Sequence, residues 1–380
     1  MKNKEGIIIF ILSISLIGVI SAGVVKDKAE KNRLSQLRAG VQAATIKSPN
    51  TKTDNSFYDK VSEKQEISIL VLGDAIGESS GVKEESKWYN SINKWINSEY
   101  GAKSNIKLFT SPKGNVFAGL SDFNFADSKK YDLVFICFGE NDLKDMTLAQ
   151  YSGVYEALVR NIKTNNNKCE VINIIESSIK SDKTFPEALK KISNYYNLQF
   201  VDTRDVFSKS QIPYNNLSSN GILPNEKGYE LYSSAIEDLL KSNITNKRTV
   251  DYEAKTVLYP AALQFSKTTF VDKEIEKSGF EKQGTLISAS IKGSSISYTF
   301  SGTMVAISFE TGLDYGKLNI TLDSKLLKKV DCYSEVSGKK ILLMYNDVQP
   351  GQHKIKVQVS QEINPKSKGN KISLYGIIKN

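Results

Sequence analysis

Histidine is almost absent from this chain, and His353 is the only one in 380 residues. Any chemistry that needs an imidazole base must use it or do without. Cysteine is scarce as well. Cys137, Cys169 and Cys332 are too few and too scattered for a disulfide framework, and no CxxC pair marks a zinc site. Thiolate metal ligation is set aside on that ground, and neither a metal nor a cofactor is expected. Also lacking is the concentrated Arg and Lys stripe, interleaved with aromatics, of a nucleic-acid binder. The formal charge of +9 is spread along the sequence and carried mainly by lysine. Such a surface suits diffuse attraction to an anionic membrane or wall polymer, or plain solubility, better than bidentate phosphate recognition.

A chain of 380 residues has room for two folded units with targeting and connecting segments. Gly6 to Val25 is an uncharged, largely apolar run of the length a helix needs to cross a hydrocarbon core. It follows Lys2 and Lys4, exceeds a usual signal-peptide core, and offers only a poor cleavage site at Ser21-Ala22-Gly23. Residues 1–25 therefore read as an uncleaved, single-pass cell-membrane anchor in preference to a removed signal, with the bulk of the chain expected outside the cytoplasm. Lys26, Lys28, Lys31, Arg33 and Arg38 beyond the run compete with the leader, so charge alone leaves the orientation open. Residues 26–64 are polar, without a sustained apolar period, and read as a tether.

Residues 65–243 then alternate strand-like and helix-like patterns. Glu66 to Gly73, Asn105 to Thr110, Tyr131 to Phe138, Cys169 to Ile175 and Leu198 to Val201 read as strands. Trp88, Ile92, Trp95 and Ile96 recur at helical spacing, and Thr147 with Gln150 forms a capping pair ahead of a stripe of Leu148, Tyr151, Val154, Leu158 and Ile162. Repeated strand and helix predicts an α/β fold, a doubly wound parallel sheet of flavodoxin-like type. Ligands of such sheets sit beyond the carboxyl ends of the strands, so the loops after Gly73, Thr110 and Phe138 are where chemistry is sought. After a polar break, residues 253–380 change to short alternating strands with Gly and Pro turns, the pattern of an all-β, jelly-roll-like sandwich.

The loop Gly73-Asp74-Ala75-Ile76-Gly77 resembles the opening block of the SGNH/GDSL hydrolases, where Gly-Asp-Ser sets a nucleophilic serine at a strand end. Gly139-Glu140-Asn141-Asp142 resembles the family's Gly-x-Asn-Asp block, and Gly114 stands where the family places an oxyanion-hole glycine. Asn220-Gly221-Ile222-Leu223-Pro224-Asn225 is similar to the Asp-Gly-x-His-Pro-Asn segment before the last helix. The resemblance spans residues 66–242 and implies the family fold. At the catalytic positions it finds Ala75 for Ser, Asn220 for Asp and Leu223 for His. Acyl transfer by this route needs an oxygen nucleophile, a base and a carboxylate to hold that base; a methyl, a butyl and an amide supply none of these. What the resemblance leaves is a vestigial oxyanion cradle of Ala75, Gly114 and Asn141.

Two rescues are open at this level. Gly77-Glu78-Ser79-Ser80-Gly81 fits a G-x-S-x-G string, which His353 would have to serve from the second domain. Asp74, Glu78, Glu140 and Asp142 are expected to crowd the pocket rim, where carboxylate chemistry competes with ordinary loop hydrogen bonding. The C-terminal domain resembles, more loosely, sandwich modules of secreted carbohydrate-active proteins, with Tyr298, Asp314, Tyr315 and Tyr333 as sugar-contact candidates. The expected function is a membrane-anchored, catalytically inactive SGNH-like protein that binds or helps to process acylated cell-surface polysaccharide. Two alternatives stay open: an active O-acyl esterase or acetyltransferase with non-standard residues, and a structural partner of a polysaccharide-modification complex, for instance beside a membrane acyltransferase.

Overall fold

Central parallel strands bury both faces, and the first apolar runs do so. β1 (Ile67–Gly73), β3 (Leu133–Cys137) and β4 (Glu170–Ile175) are buried almost throughout, while β2 (Ser104–Thr110) and β5 (Gln199–Asp202) are more exposed. All pairings are parallel and the order is β2-β1-β3-β4-β5, so β2 and β5 are the edges. The computed structural model describes residues 55–179, 182–253 and 255–380. The expected anchor lies outside the described residues, as does most of the tether, and no helix among the described residues is long and apolar enough to cross a membrane.

Helices cover both faces of the sheet. α1 (Phe57–Ser62), α2 (Trp88–Tyr100), α6 (Thr203–Lys209) and α7 (Glu226–Thr245) pack on one face through Phe57, Trp88, Ile92, Phe207 and Tyr232. α3 (Val116–Phe125), α4 (Leu148–Asn165) and α5 (Thr184–Tyr195) pack on the other. The expected capping box opens α4, with Thr147 Oγ1 accepting from Gln150 N at 3.3 Å and Gln150 Oε1 from Thr147 N at 3.0 Å. Of the expected α4 stripe, Tyr151, Val154, Leu158 and Ile162 are buried and Leu148, in the first turn, is exposed. α1 corrects the tether's expected end. Ser56 caps it, and Phe57, Tyr58 and Val61 are buried, so the fold begins before residue 64.

The C-terminal half forms two antiparallel sheets around a shared core that includes Ile296, Tyr298, Ile307, Ile320, Leu342, Val357 and Ile377. One orders Lys325–Asp331, Lys317–Leu322, Gln352–Val359, Ser295–Ser301 and Glu276–Ser278; the other orders Gly338–Tyr345, Val305–Thr311, Ile372–Lys379, Leu286–Ala289 and Glu281–Gln283, with Thr269–Val271 added on Ile372–Lys379. The intervening polar stretch is bound down. Arg248 Nε donates to buried Glu170 at 2.7 Å, and buried Glu156 accepts from the backbone of Leu258 and Tyr259, each at 2.6 Å. Met304, Ala306, Ile341, Leu343 and Ile378 of the second half share one apolar cluster with Val116, Phe117 and Leu120 of α3. Residues 54–380 accordingly make one compact unit.

Candidate functional site

The chain leaves β1 by doubling back on itself. Glu78 N donates to Asp74 O and Ser80 N to Ala75 O, both at 2.8 Å, closing a helical turn at the strand end. A Cβ on Gly73 would stand 2.7 Å from the Gly77 Cα, and one on Gly77 equally close to the Gly73 Cα, so this return requires two glycines. Ala75, expected at the nucleophile position, lies half-buried in the turn. Asp74 is fully beneath it, its Oδ1 accepting from Ile76 N at 2.8 Å.

The other two cradle elements are bonded to each other. The Asn141 amide donates to Gly114 O at 2.8 Å and to Pro112 O at 3.2 Å, while Gly114 N donates to Ser111 O at 2.7 Å. The donors of Gly114 and Asn141 are thus spent within the loops themselves. That loop is also clamped by the second half of the chain. Ser111 Oγ donates to Lys339 O at 2.8 Å, and Asn115 Nδ2 to Ile341 O and to Asp145 Oδ2, each at 3.1 Å. Asn115 meanwhile caps α3, its Oδ1 accepting from Ala118 N at 3.0 Å.

The loop before α7 is closed on itself as well. Asn220 Oδ1 accepts from Leu223 N at 2.8 Å and Ile222 N at 3.1 Å, an Asx-type turn, with Gly221 in the left-handed region. The Leu223 side chain packs against the apolar cluster that contains Ile76, Tyr229 and Tyr232. Asn225 caps α7 through Gly228 N at 3.1 Å and donates to Asn216 O at 3.0 Å.

The expected rim carboxylates divide. Glu140 is half-buried and paired with Lys144 at 2.7 Å, and Glu78 is half-buried, its carboxyl raised by burial. Asp74 and Asp142, expected at the rim, are instead in the interior. Asp142 Oδ1 accepts from Val116 N at 2.9 Å, and burial together with the charge of Asp74 pushes its carboxyl well above the usual range. Glu176, at the end of β4, was not anticipated. It is fully buried, its carboxyl pushed well above the usual range by burial and the charge of Asp74, and it accepts from Glu140 N at 2.7 Å and from Cys137 Sγ at 3.7 Å. A signal existed: an acid closing the otherwise buried run Val171 to Ile175 needs a partner, and the strand end is where such sheets gather their site.

The serine-histidine rescue finds no geometry. Ser79 is fully buried at φ 58°, and its hydroxyl has no partner among the described residues. His353 is held in its own sheet region by Asp323 Oδ2 on Nδ1 at 2.7 Å and by Gln349 O on Nε2 at 2.6 Å. Of the sugar-contact tyrosines, Tyr298 and Tyr315 are buried, Tyr333 is half-buried, and Asp314 is exposed.

Residues 71–231 match the sequence model of the GDSL-like lipase/acylhydrolase family. The parallel-sheet half is a GDSL-like lipase/acylhydrolase domain. No curated protein sequence matches the chain. Among solved structures, this GDSL-like chain is similar to a two-domain esterase active on acetylated mannans, co-crystallised with mannopentaose: TM-score 0.70, 18% identity, 84% of this chain and 92% of that one. A second structure of a two-domain esterase active on acetylated mannans gives TM-score 0.68, 18% identity and coverage of 84% and 93%. A member of the lipolytic G-D-S-L family from Veillonella parvula is matched at TM-score 0.38 and 21% identity, covering 47% of this chain and 98% of that one. The likeness to the two-domain structures extends through the antiparallel sheets and concerns the fold.

Proposed function

We propose that the chain is a non-catalytic SGNH-like protein that binds acylated cell-surface polysaccharide outside the cytoplasm, held at the membrane by its N-terminal apolar run. One observation carries the inactivity: the three catalytic positions hold Ala75, Asn220 and Leu223, and each serves the fold. Ala75 sits in a closed turn, Asn220 bonds its own loop, and Leu223 joins an apolar cluster. Without an oxygen nucleophile and a base in reach, the acyl-transfer route has no first step. The ligand class is supported by the two-domain layout, an SGNH-like half clamped to a jelly-roll-like sandwich, which parallels the esterase active on acetylated mannans.

The test uses the purified full-length protein. It is expected to hydrolyse neither p-nitrophenyl acetate nor acetylated mannan, and to be retarded more in affinity electrophoresis through acetylated mannan than through the same polymer deacetylated. Turnover that survives purification to homogeneity overturns the inactivity, and equal mobility in both gels overturns the ligand class.

A further inference from the structure

Away from the mouth of the parallel sheet, the second half of the chain encloses a cavity of about 360 Å³. That is at the small end of the range for ligand sites, about 300–1,000 Å³. Glu276–Ser278 belongs to one antiparallel sheet and Glu281–Gln283 to the other, so the segment between Asp272 and Ile287 crosses from sheet to sheet and walls the cavity. Phe270 and Tyr375 supply its aromatic surface. Gly376 makes room for the first of these. A Cβ there would stand 2.5 Å from Val271 O and 3.0 Å from Phe270 Cζ, so a side chain would lift Thr269–Val271 off the strand it pairs with. Held this closely, Phe270 is still 39% exposed, and its ring meets that of Phe125 in α3 at 6.2 Å, inclined by 69°.

The charged groups of the lining cancel: Asp272 and Glu274 against Lys277 and Lys282. Glu274 and Lys277 pair with each other at 3.0 Å. Asp272 and Lys282 are exposed, and among the described residues neither side chain has an ion pair or a hydrogen bond. A charged ligand would lose to one pair of groups what it gains from the other. A neutral ring carrying several hydroxyls uses both, because a hydroxyl donates to a carboxylate and accepts from an ammonium group. The C–H side of a pyranose, slightly positive, also suits the negative face of an aromatic ring.

We infer that this cavity is a saccharide subsite separate from the vestigial cradle, taking one neutral pyranose unit of a polysaccharide with its C–H face against Phe270 and its hydroxyls bonded to Asp272 and Lys282. The inference rests on the polysaccharide reading above but not on acylation, since none of Ala75, Gly114 and Asn141 lines the cavity. One residue joins the two places. Lys339 O accepts from Ser111 Oγ at 2.8 Å in the loop after β2, while its ammonium group lies 5.5 Å from the centre of the Tyr375 ring and 3.3 Å from Asp122 Oδ1. Two sites linked in this way can hold one polymer with more avidity than either alone.

Affinity electrophoresis of the full-length protein through two unsubstituted polymers, deacetylated mannan and hydroxyethylcellulose, against a polymer-free gel tests this. The wild type is expected to be retarded by at least one of them, and Phe270→Ala to lose that retardation, its apparent affinity falling about tenfold. Asp272→Ala and Lys282→Ala remove exposed side chains that have no protein partner to lose, and each should weaken binding about threefold without moving the thermal midpoint. These two decide the matter should Phe270→Ala not fold. Retardation unchanged in all three variants, or a wild type that neither polymer slows, overturns the inference. The acyl-dependent reading is judged separately, by the extra retardation in acetylated over deacetylated mannan, which Phe270→Ala is expected to leave in place.

Discussion

The side-chain amide of Asn141 donates to the carbonyl of Gly114 at 2.8 Å, so the amide that the cradle would aim at a bound oxygen is held by the neighbouring loop instead. With its second bond to Pro112 O, this amide knits the loop after β3 to the loop after β2. Asn141→Ala leaves both carbonyls short of a donor and is expected to destabilise the protein by about 1–3 kcal/mol. Denaturant unfolding of the two proteins, compared at equal m-value, measures the difference.

Restoring one catalytic residue is expected to restore nothing. Ala75→Ser supplies a hydroxyl, but Leu223 cannot take its proton, so p-nitrophenyl acetate turnover should stay at the wild-type background.

Leu223→His exchanges an apolar side chain packed on the cluster of the α7 face for a polar one, and should cost about 1–2 kcal/mol, less than a core truncation because Leu223 is only partly buried. A fall in thermal midpoint is the expected reading, and an unchanged midpoint would show that the leucine does not support the fold.

Gly77→Ala tests the doubled-back turn. Its new methyl would meet the Gly73 Cα at 2.7 Å and the Cys137 carbonyl at 3.1 Å, both backbone atoms that cannot swing aside. A loss of about 2–4 kcal/mol, as for overpacking of a rigid site, is expected. Gly81→Ala is the contrast: nothing lies near its Cβ, and its cost of about 1 kcal/mol should come from its φ of +88° alone.

The pH dependence of stability follows from the same buried carboxyls. Asp74 and Glu176 are raised in the folded protein, so across the window from their ordinary values upward the folded state binds more protons than the unfolded state. Stability therefore falls as pH rises, first between about 4 and 6 for Asp74 and then toward the higher value of Glu176. Chemical denaturation at pH 4.5, 6 and 8 should show that decline, and Glu176→Gln should make its upper part shallower, leaving the share due to the buried Asp142 carboxyl. A wild type equally stable at all three would contradict it.

Asn115→Ala removes an N-cap and, with it, a bond to the second half of the chain at Ile341 O. A loss of about 1–2 kcal/mol is expected. Because one compact unit spans both halves, unfolding should remain a single transition; a split into two would show that this contact couples them.

Local pattern was enough for much of this architecture. β1, β3 and β4 are continuous apolar runs because parallel central strands bury both faces, and Thr147 with Gln150 announces α4 because a capping box is a local hydrogen-bond arrangement. That residue 75 is an alanine and residue 223 a leucine, neither able to act as nucleophile or base, is likewise a matter of covalent chemistry, readable from residue identity alone. Which groups remain free is a different matter, because that depends on partners remote in the chain. Asn141 is spent on Gly114, Asp142 accepts from the backbone of Val116, and Ser111 and Asn115 are clamped by Lys339 and Ile341 of the second half. The sequence by itself determined the parallel sheet, the antiparallel strands that follow it and the near absence of histidine. Only the tertiary structure decided that the loops close on one another, since hydrogen bonds and desolvation are settled by what folding brings alongside.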